Sequence, residues 1–205
     1  MINNNIQITV ITLTKNDNLK FKRTLKSLIL QDINFLLEWI VIDGSRKKEI
    51  TLNKSLIKKT IGSGRYKNLL IRYVNSKILN IEGIYPCMNY GKSIAKGKFI
   101  FFLNSGDELY NKNSLKSLFN CSKKVVAKSS LIFGQAYIVS EENICWNFPG
   151  NKLKNIKFWL KLFEPNHQTM LISKNLCNKF NFEEKYNLIA DGYWKREILK
   201  NASEI

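Results

Sequence analysis

Ile6-Gln7-Ile8-Thr9-Val10-Ile11-Thr12-Leu13, running into Thr14-Lys15-Asn16-Asp17, is the stretch on which the reading of the fold turns. It is β-branched and apolar on both faces, which suits a strand in the middle of a parallel sheet better than an edge strand. The polar residues that follow have the chemistry of a helix start. Beyond them Leu19, Phe21, Leu25, Leu28 and Ile29 recur at spacings near three and four with lysines between, predicting an amphipathic helix to about Gln31. The same alternation repeats. Strands are expected over Leu37 to Ile42, Leu69 to Val74 and Phe99 to Leu103, with helices through Ile50, Leu52, Leu56 and Ile57 and through Met88, Ile94 and Ala95, the latter ended by Gly97. Four strands alternating with helices predict a doubly wound α/β sheet.

The second half is less regular. Leu131 to Val139 reads as one strand, Ile144 to Phe148 and Thr169 to Ile172 as two more, and the last helix passes through Asp191, Trp194, Ile198 and Leu199. With 205 residues, no internal repeat and no linker-like stretch, one domain is expected over 1–205, with 1–107 and 108–205 as its halves. Composition excludes several classes. The chain has only 3 prolines and 10 glycines and 44% apolar residues, so it is neither disordered nor low-complexity. Its longest apolar run is far too short to span a bilayer, and the first residues lack a secretory signal, so a cytoplasmic location is expected. Cys87, Cys121, Cys145 and Cys177 are scattered, which fits buried reduced thiols rather than a zinc site or disulfides.

The net charge of +17 invites a nucleic-acid partner. The lysines are spread along the chain, however, without a run of five or six and without an arginine-aromatic stretch, so no nucleic-acid partner is expected. The excess reads as a solvated surface that favours anionic substrates or an anionic membrane face. In open α/β sheets ligands sit beyond the carboxyl ends of the strands. Asp43 and Asp107 follow the second and fourth strands and are the candidate carboxylates of that crevice, although Asp-Gly-Ser and Ser-Gly-Asp are also ordinary turn and cap peptides.

An ordered set of short motifs then narrows the reading. Ile8 to Thr14, Gln31, Glu38-Trp39-Ile40-Val41-Ile42-Asp43-Gly44-Ser45, Gly83-Ile84-Tyr85-Pro86-Cys87-Met88-Asn89, Leu103-Asn104-Ser105-Gly106-Asp107 and His167-Gln168 together resemble family 2 glycosyltransferases, in particular the bacterial capsular and exopolysaccharide branch. The resemblance implies a single GT-A (Rossmann-like) domain with a mostly parallel sheet, helices on its faces and an irregular acceptor-side second half. It also implies inverting transfer of a hexosyl or N-acetylhexosaminyl group from a nucleotide-diphosphate sugar, expected to be a UDP-sugar. The acceptor would be a saccharide or a polyprenyl-linked saccharide, and Mn²⁺ or Mg²⁺ would assist.

Carried over by position, Thr12, Thr14, Asp43, Asn89 and Asn104 become nucleotide-binding residues, with Asp43 accepting from the base and Asn104 facing the ribose. Asp107 becomes the metal ligand, Asp191 the general base, and His167 and Gln168 contacts to diphosphate or acceptor. A hard divalent cation prefers oxygen ligands and shares them with substrate phosphates, so one protein carboxylate can suffice. The sequence departs from the pattern at Pro86, where the branch carries Asp, and after Gly44, where Ser45-Arg46-Lys47-Lys48 replaces the usual continuation. These departures leave open a homologue that binds but does not turn over. Finally, Leu153, Ile156, Trp159, Leu160 and Phe163 with Lys154, Lys157 and Lys161 form the pattern of a basic amphipathic helix. It is expected either to rest on an anionic membrane face or to cover the sheet.

Overall fold

In the computed structural model, residues 5–62, 66–125, 127–139, 145–148 and 165–205 are described. The amphipathic segment around residues 153–163 lies outside them, as does the side chain of Cys145. The first half follows the predicted alternation: β1 (Ile8–Thr14), α1 (Asn18–Ile29), β2 (Leu37–Asp43), α2 (Lys47–Ile61), β3 (Leu69–Asn75), α3 (Ile84–Ile94) and β4 (Phe99–Phe102). Then come α4 (Ser114–Ser122), β5 (Leu131–Phe133), β6 (Ala136–Val139), β7 (Cys145–Phe148), a short turn of helix at His167–Thr169, β8 (Met170–Ser173), α5 (Lys174–Lys179) and α6 (Ala190–Asn201).

The central sheet has the order β3-β2-β1-β4-β8-β5. The first four strands are mutually parallel, and β8 runs antiparallel to both β4 and β5. One expectation is corrected here. The stretch Leu131 to Val139 is not one strand: Gly134 and Gln135 interrupt it, so that β5 joins the main sheet while β6 pairs only with β7 in a separate antiparallel hairpin. Two apolar cores flank the sheet. Ile11, Ile40, Ile42, Phe102 and Ile172 face α3, α5 and α6 with Trp194 and Phe182, whereas Val10, Trp39, Val41, Phe101 and Leu171 face α1 and α4 with Phe21 and Phe119. Burial on both faces is what made the strands read as continuous hydrophobic runs.

Several polar side chains tie this frame together. Asp17 caps α1, its carboxylate accepting from the Lys20 N–H at 2.9 Å. The buried Glu38 accepts from Thr9 Oγ1 at 2.7 Å and from the Lys96 N–H at 2.8 Å, and pairs with Arg72 at 3.1 Å. From α3, Asn89 donates to Phe182 O and accepts from its N–H, both at 2.9 Å. One turn on, the buried Lys92 ammonium donates to Cys177 O and Phe180 O, and desolvation holds its pKa below the usual lysine range. One face of α3 is therefore a clasp on the 174–182 segment. Cys87 and Cys177 are buried free thiols as expected, but Cys121 is exposed, because the last turn of α4 carries it on the solvent side. Among the described residues no helix is long and apolar enough to cross a membrane.

Gly97 closes the turn into β4 against the backbone of β1. A Cβ there would lie 2.4 Å from Thr9 N and 2.7 Å from Ile8 C, and the Gly97 N–H donates to Thr9 Oγ1 at 2.8 Å. Neither neighbour can move without breaking the β1 ladder. Gly97→Ala is expected to lower the free energy of unfolding by about 2 kcal/mol or more, read from the midpoint of urea denaturation; a change within about 0.5 kcal/mol would contradict this packing.

Candidate active site

Parallel pairing brings the carboxyl ends of β1, β2 and β4 to one edge. Thr14 stands opposite Asp43, and Ile11 opposite Phe102, so the 104–107 turn emerges beside the end of β1. The turn is built by α1. Thr24 Oγ1 accepts from the Gly106 N–H at 2.9 Å and donates to Asp107 O at 2.8 Å, while the Asp107 N–H donates to Asn104 O at 3.0 Å. Gly106 has φ +106°, which a side chain would strain, so Asn-Ser-Gly-Asp is the turn chemistry this backbone requires. Thr14 Oγ1 donates to Ser105 Oγ at 3.3 Å and ties β1 to it.

The turn before β8 supplies the other wall. Asn166 Oδ1 accepts from the Gln168 N–H at 3.1 Å and holds that turn in place. Gln168 Nε2 then donates to Asp107 Oδ2 at 3.1 Å, and His167 Nδ1 lies 3.4 Å from Asp191 Oδ2 at the start of α6. The His167 and Asp191 side chains are 13% and 29% exposed, so the pair is shielded but reachable. The two carboxylates differ in environment. Burial pushes the Asp107 carboxyl above the ordinary aspartate range, against the opposing pull of Gln168 and His167. The hydrogen bond from His167 holds Asp191 below that range, burial opposing.

The structure does not bring every expected residue to the surface of this edge. Thr12 is buried and accepts from the Trp39 indole N–H at 2.9 Å. Asp43 is also buried: Oδ1 accepts from the Ser45 N–H at 2.8 Å, and Oδ2 accepts from Asn53 Nδ2 at 2.8 Å and from the Tyr73 hydroxyl. Its oxygens are engaged within the protein, and this burial together with the carboxylate raises the Tyr73 pKa. Asn89 is engaged with Phe182. In this structure the Thr12, Asp43 and Asn89 side chains thus have partners within the protein. Thr14, Asn104, Asp107, His167, Gln168 and Asp191 remain together.

Asn53 and Tyr73 escaped the sequence reading because nothing in a helix or strand pattern marks a residue that caps a distant carboxylate. Tyr85 also escaped as an individual residue. It stacks on Phe182 with ring centres 5.8 Å apart, and the backbone N–H groups of Ala190 and Asp191 reach its hydroxyl, whose pKa is raised by burial and by the Asp191 carboxylate.

The set also fits a divalent cation. Asn104 Oδ1 is buried with no partner beside the Asp107 carboxylate, so the available donors are hard oxygens. Among the described residues no group of three or more His, Cys, Asp or Glu forms a complete metal cage, so a cation would share its shell with substrate oxygens.

No protein-family profile matches the chain, and no curated protein sequence matches it. Solved structures do. TarS 1-349 from Staphylococcus aureus superposes with a TM-score of 0.65 at 20% identity, and its complex with UDP with 0.66 at 18%, each covering 98% of this chain and 58% of that chain. A mannosyltransferase from Pyrobaculum calidifontis in complex with GDP-Man and Mn²⁺ gives 0.57 at 13% identity, over 87% of this chain and 48% of that one. 4-Diphosphocytidyl-2C-methyl-D-erythritol synthase from Anaerococcus prevotii gives 0.52 at 10%, over 97% and 85%. The fold is thus the mixed, mostly parallel Rossmann-like sheet of GT-A glycosyltransferases. At these identities the likeness concerns the fold alone, and the chain spans 58% of the TarS 1-349 chain.

Because the His167 contact depresses Asp191, the sign of its pH effect is fixed. The stability it contributes is present above the unfolded carboxyl pKa and is lost as pH falls through the lower folded value. His167→Ala removes the largest lowering influence and leaves burial. The Asp191 titration, followed by carboxyl ¹³C NMR, is expected to move upward in that variant; an unchanged midpoint would show that the contact does not set it.

Proposed function

We propose that this chain transfers a sugar from a nucleotide-diphosphate donor to a saccharide hydroxyl, with inversion at the anomeric carbon. The observation that carries the reading is the two-residue turn His167-Gln168, which joins the Asp107 carboxylate after β4 to the Asp191 carboxylate at the start of α6. A site for a diphosphate needs a group that holds cations, and a site for an acceptor hydroxyl needs a base. A carboxylate at each end of that turn meets these needs. The fold neighbours bound to UDP and to GDP-Man with Mn²⁺ support a nucleotide-sugar donor.

In this reading Thr14, Asn104 and Ser105 line the donor side, and Asp107 with the Asn104 amide oxygen would hold Mn²⁺ or Mg²⁺. A cation held there would supply charge compensation for the diphosphate leaving group. Asp191 is ionised because His167 stabilises its charge, and it accepts the proton of the acceptor hydroxyl. The hydroxyl oxygen bonds to the anomeric carbon as the bond from that carbon to the diphosphate oxygen breaks. A base as weak as this takes the proton late, when the attacking oxygen has become acidic. Gln168 fixes one oxygen of Asp107, and His167 orients Asp191.

The finer proposals follow the resemblance: a UDP-sugar donor, hexosyl or N-acetylhexosaminyl transfer, and a saccharide or polyprenyl-linked saccharide acceptor in surface polysaccharide synthesis. Peripheral contact with the inner face of the plasma membrane would run through Leu153, Ile156, Trp159, Leu160 and Phe163, and its support is their sequence pattern alone.

Thermal unfolding with a panel of nucleoside diphosphates and nucleotide-sugars, each with Mn²⁺ and with chelator, tests the donor half. At 100 times its dissociation constant the right nucleotide adds about 2.7 kcal/mol of stability, and Asp107→Ala is expected to abolish the metal-dependent part. No stabilisation by any of them would contradict the reading. Asp191→Asn is expected to lower kcat about 10²- to 10⁴-fold with donor affinity unchanged. Donor binding by the wild-type chain with no turnover, and no effect of Asp191→Asn, would instead identify a binding homologue.

A further inference from the structure

Lysines that are scattered along the chain are gathered by the fold. α1 and α2 lie side by side on the sheet face that packs Val10, Trp39 and Val41, and Asn18 of α1 donates to Glu49 O and Asn53 Oδ1 of α2 at 3.0 and 2.7 Å. Each helical residue turns about 100° from the last, so a helix that buries one stripe presents the opposite one to solvent. On α1 Phe21, Leu25 and Leu28 are buried, and Leu19, Lys22, Arg23, Lys26 and the capping Leu30 fall on the outward stripe. On α2 Ile50 and Asn53 are buried, and Lys48, Leu52 and Lys59 fall on the outward stripe.

Charge is concentrated on these two helices. Asn18–Ile29 and Lys47–Ile61 carry nine lysines and arginines against the single carboxylate of Glu49, so 27 residues hold +8 of the chain's +17. On the other face of the sheet α3, α5 and α6 hold +4 over 29 residues, and one of their cations is the buried Lys92. The acids near α1 are already matched: Asp17 pairs with Lys20 at 3.5 Å, Glu108 with Arg23 at 3.7 Å and Asp32 with Lys116 at 3.0 Å. Among the described residues Lys22, Lys26, Lys48 and Lys59 have no carboxylate partner.

Leucines interrupt the charge. Leu19, Leu30 and Leu52 are 76%, 69% and 49% exposed on the same two stripes. Exposed leucines add nothing to the binding of a dissolved polyanion, whereas a bilayer offers anionic headgroups to the ammonium groups and acyl chains to the leucines. The stripes also carry no aromatic ring, and their one arginine, Arg23, is engaged by Glu108, which disfavours nucleic acid.

We propose that the outward face of α1 and α2 docks on an anionic lipid bilayer, with Lys22, Lys26, Lys48 and Lys59 at the headgroups and Leu19, Leu30 and Leu52 reaching past them. The docked face borders the 104–107 turn, since a Cβ on Gly106 would lie 3.3 Å from Lys20 Cδ and Thr24 holds the Gly106 N–H. This surface is separate from the 153–163 segment, and the inference stands on charge and exposure, independent of the sugar-transfer reading.

Sedimentation of the full chain with vesicles tests it, at about 0.15 M salt, where long-range attraction between exposed charges is screened. Vesicles of phosphatidylcholine and phosphatidylglycerol in equal parts are expected to bind the chain about 10-fold or more tightly than phosphatidylcholine alone. Lys22→Glu/Lys26→Glu/Lys59→Glu is expected to lose about 10-fold or more of that binding, whereas Lys174→Glu/Lys179→Glu/Lys200→Glu, an equal charge change on α5 and α6, retains it. Leu19→Ser/Leu30→Ser/Leu52→Ser is expected to weaken vesicle binding without altering the thermal unfolding midpoint, which reports folding of every variant. Acetylation of the wild-type chain, mapped by mass spectrometry, needs no variant: bound vesicles are expected to shield Lys22, Lys26, Lys48 and Lys59 and to leave Lys174, Lys179 and Lys200 reactive. Equal binding to both vesicle types, equal losses in the two charge variants, full binding by the leucine variant, tighter binding to duplex DNA than to the vesicles, or shielding centred on Lys154, Lys157 and Lys161 would overturn the proposal.

Discussion

The parallel pairing of β1 with β2 on one side and β4 on the other is the constraint on which the rest of the molecule depends. Because β1 is buried on both faces, a slip of one residue would exchange the side chains that face α3 for those that face α1, and neither core would accept them. The register is locked further by polar groups at the opposite edge, where Thr9, Glu38, Lys96 and Gly97 bind one another across three strands. With the amino edge fixed, the carboxyl edge has no freedom left. Thr14 and the 104–107 turn must emerge together, and α1 must pass close enough for Thr24 to shape that turn.

Polar accounting separates support from site. Glu38, Asp43, Asn89 and Lys92 are polar side chains whose partners are all within the protein, and each joins two segments distant in sequence. Among the buried side-chain polar atoms of the described residues, three have no partner: Glu49 Oε2, Asn104 Oδ1 and His167 Nε2. Two of these three are at the carboxyl edge beside Asp107 and Asp191. Leaving a buried donor or acceptor unmade costs free energy, so such atoms concentrate where a ligand completes them. Asp43 shows the reverse case. At the end of β2 its oxygens accept from the Ser45 N–H, Asn53 and the Tyr73 hydroxyl.

The first half of the fold was legible to within a residue or two, since strands buried on both faces write themselves as runs such as Trp39-Ile40-Val41-Ile42 and helices as three-and-four spacing. The second half was not. Nothing in Leu131 to Val139 except Gly134 signals that the strand ends and a separate hairpin begins, and nothing in Met170–Ser173 states that it pairs antiparallel with β4. Asp107, His167, Gln168 and Asp191 were named individually from the resemblance to family 2 glycosyltransferases. Their pairing across 61 positions in one case and 24 in the other is a property of the fold.

The central claim is that the 104–107 turn and the His167-Gln168 turn form one site for a cation and a nucleotide diphosphate. Paramagnetic broadening by Mn²⁺ in the presence of nucleoside diphosphate, read residue by residue in the amide NMR spectrum, locates that site directly. The account predicts that the signals of residues 104–107 and 167–168 broaden first and that those of Asn68 and Gly97, at the amino edge of the sheet, stay sharp. Broadening centred elsewhere, or uniform over the basic surface, would contradict it.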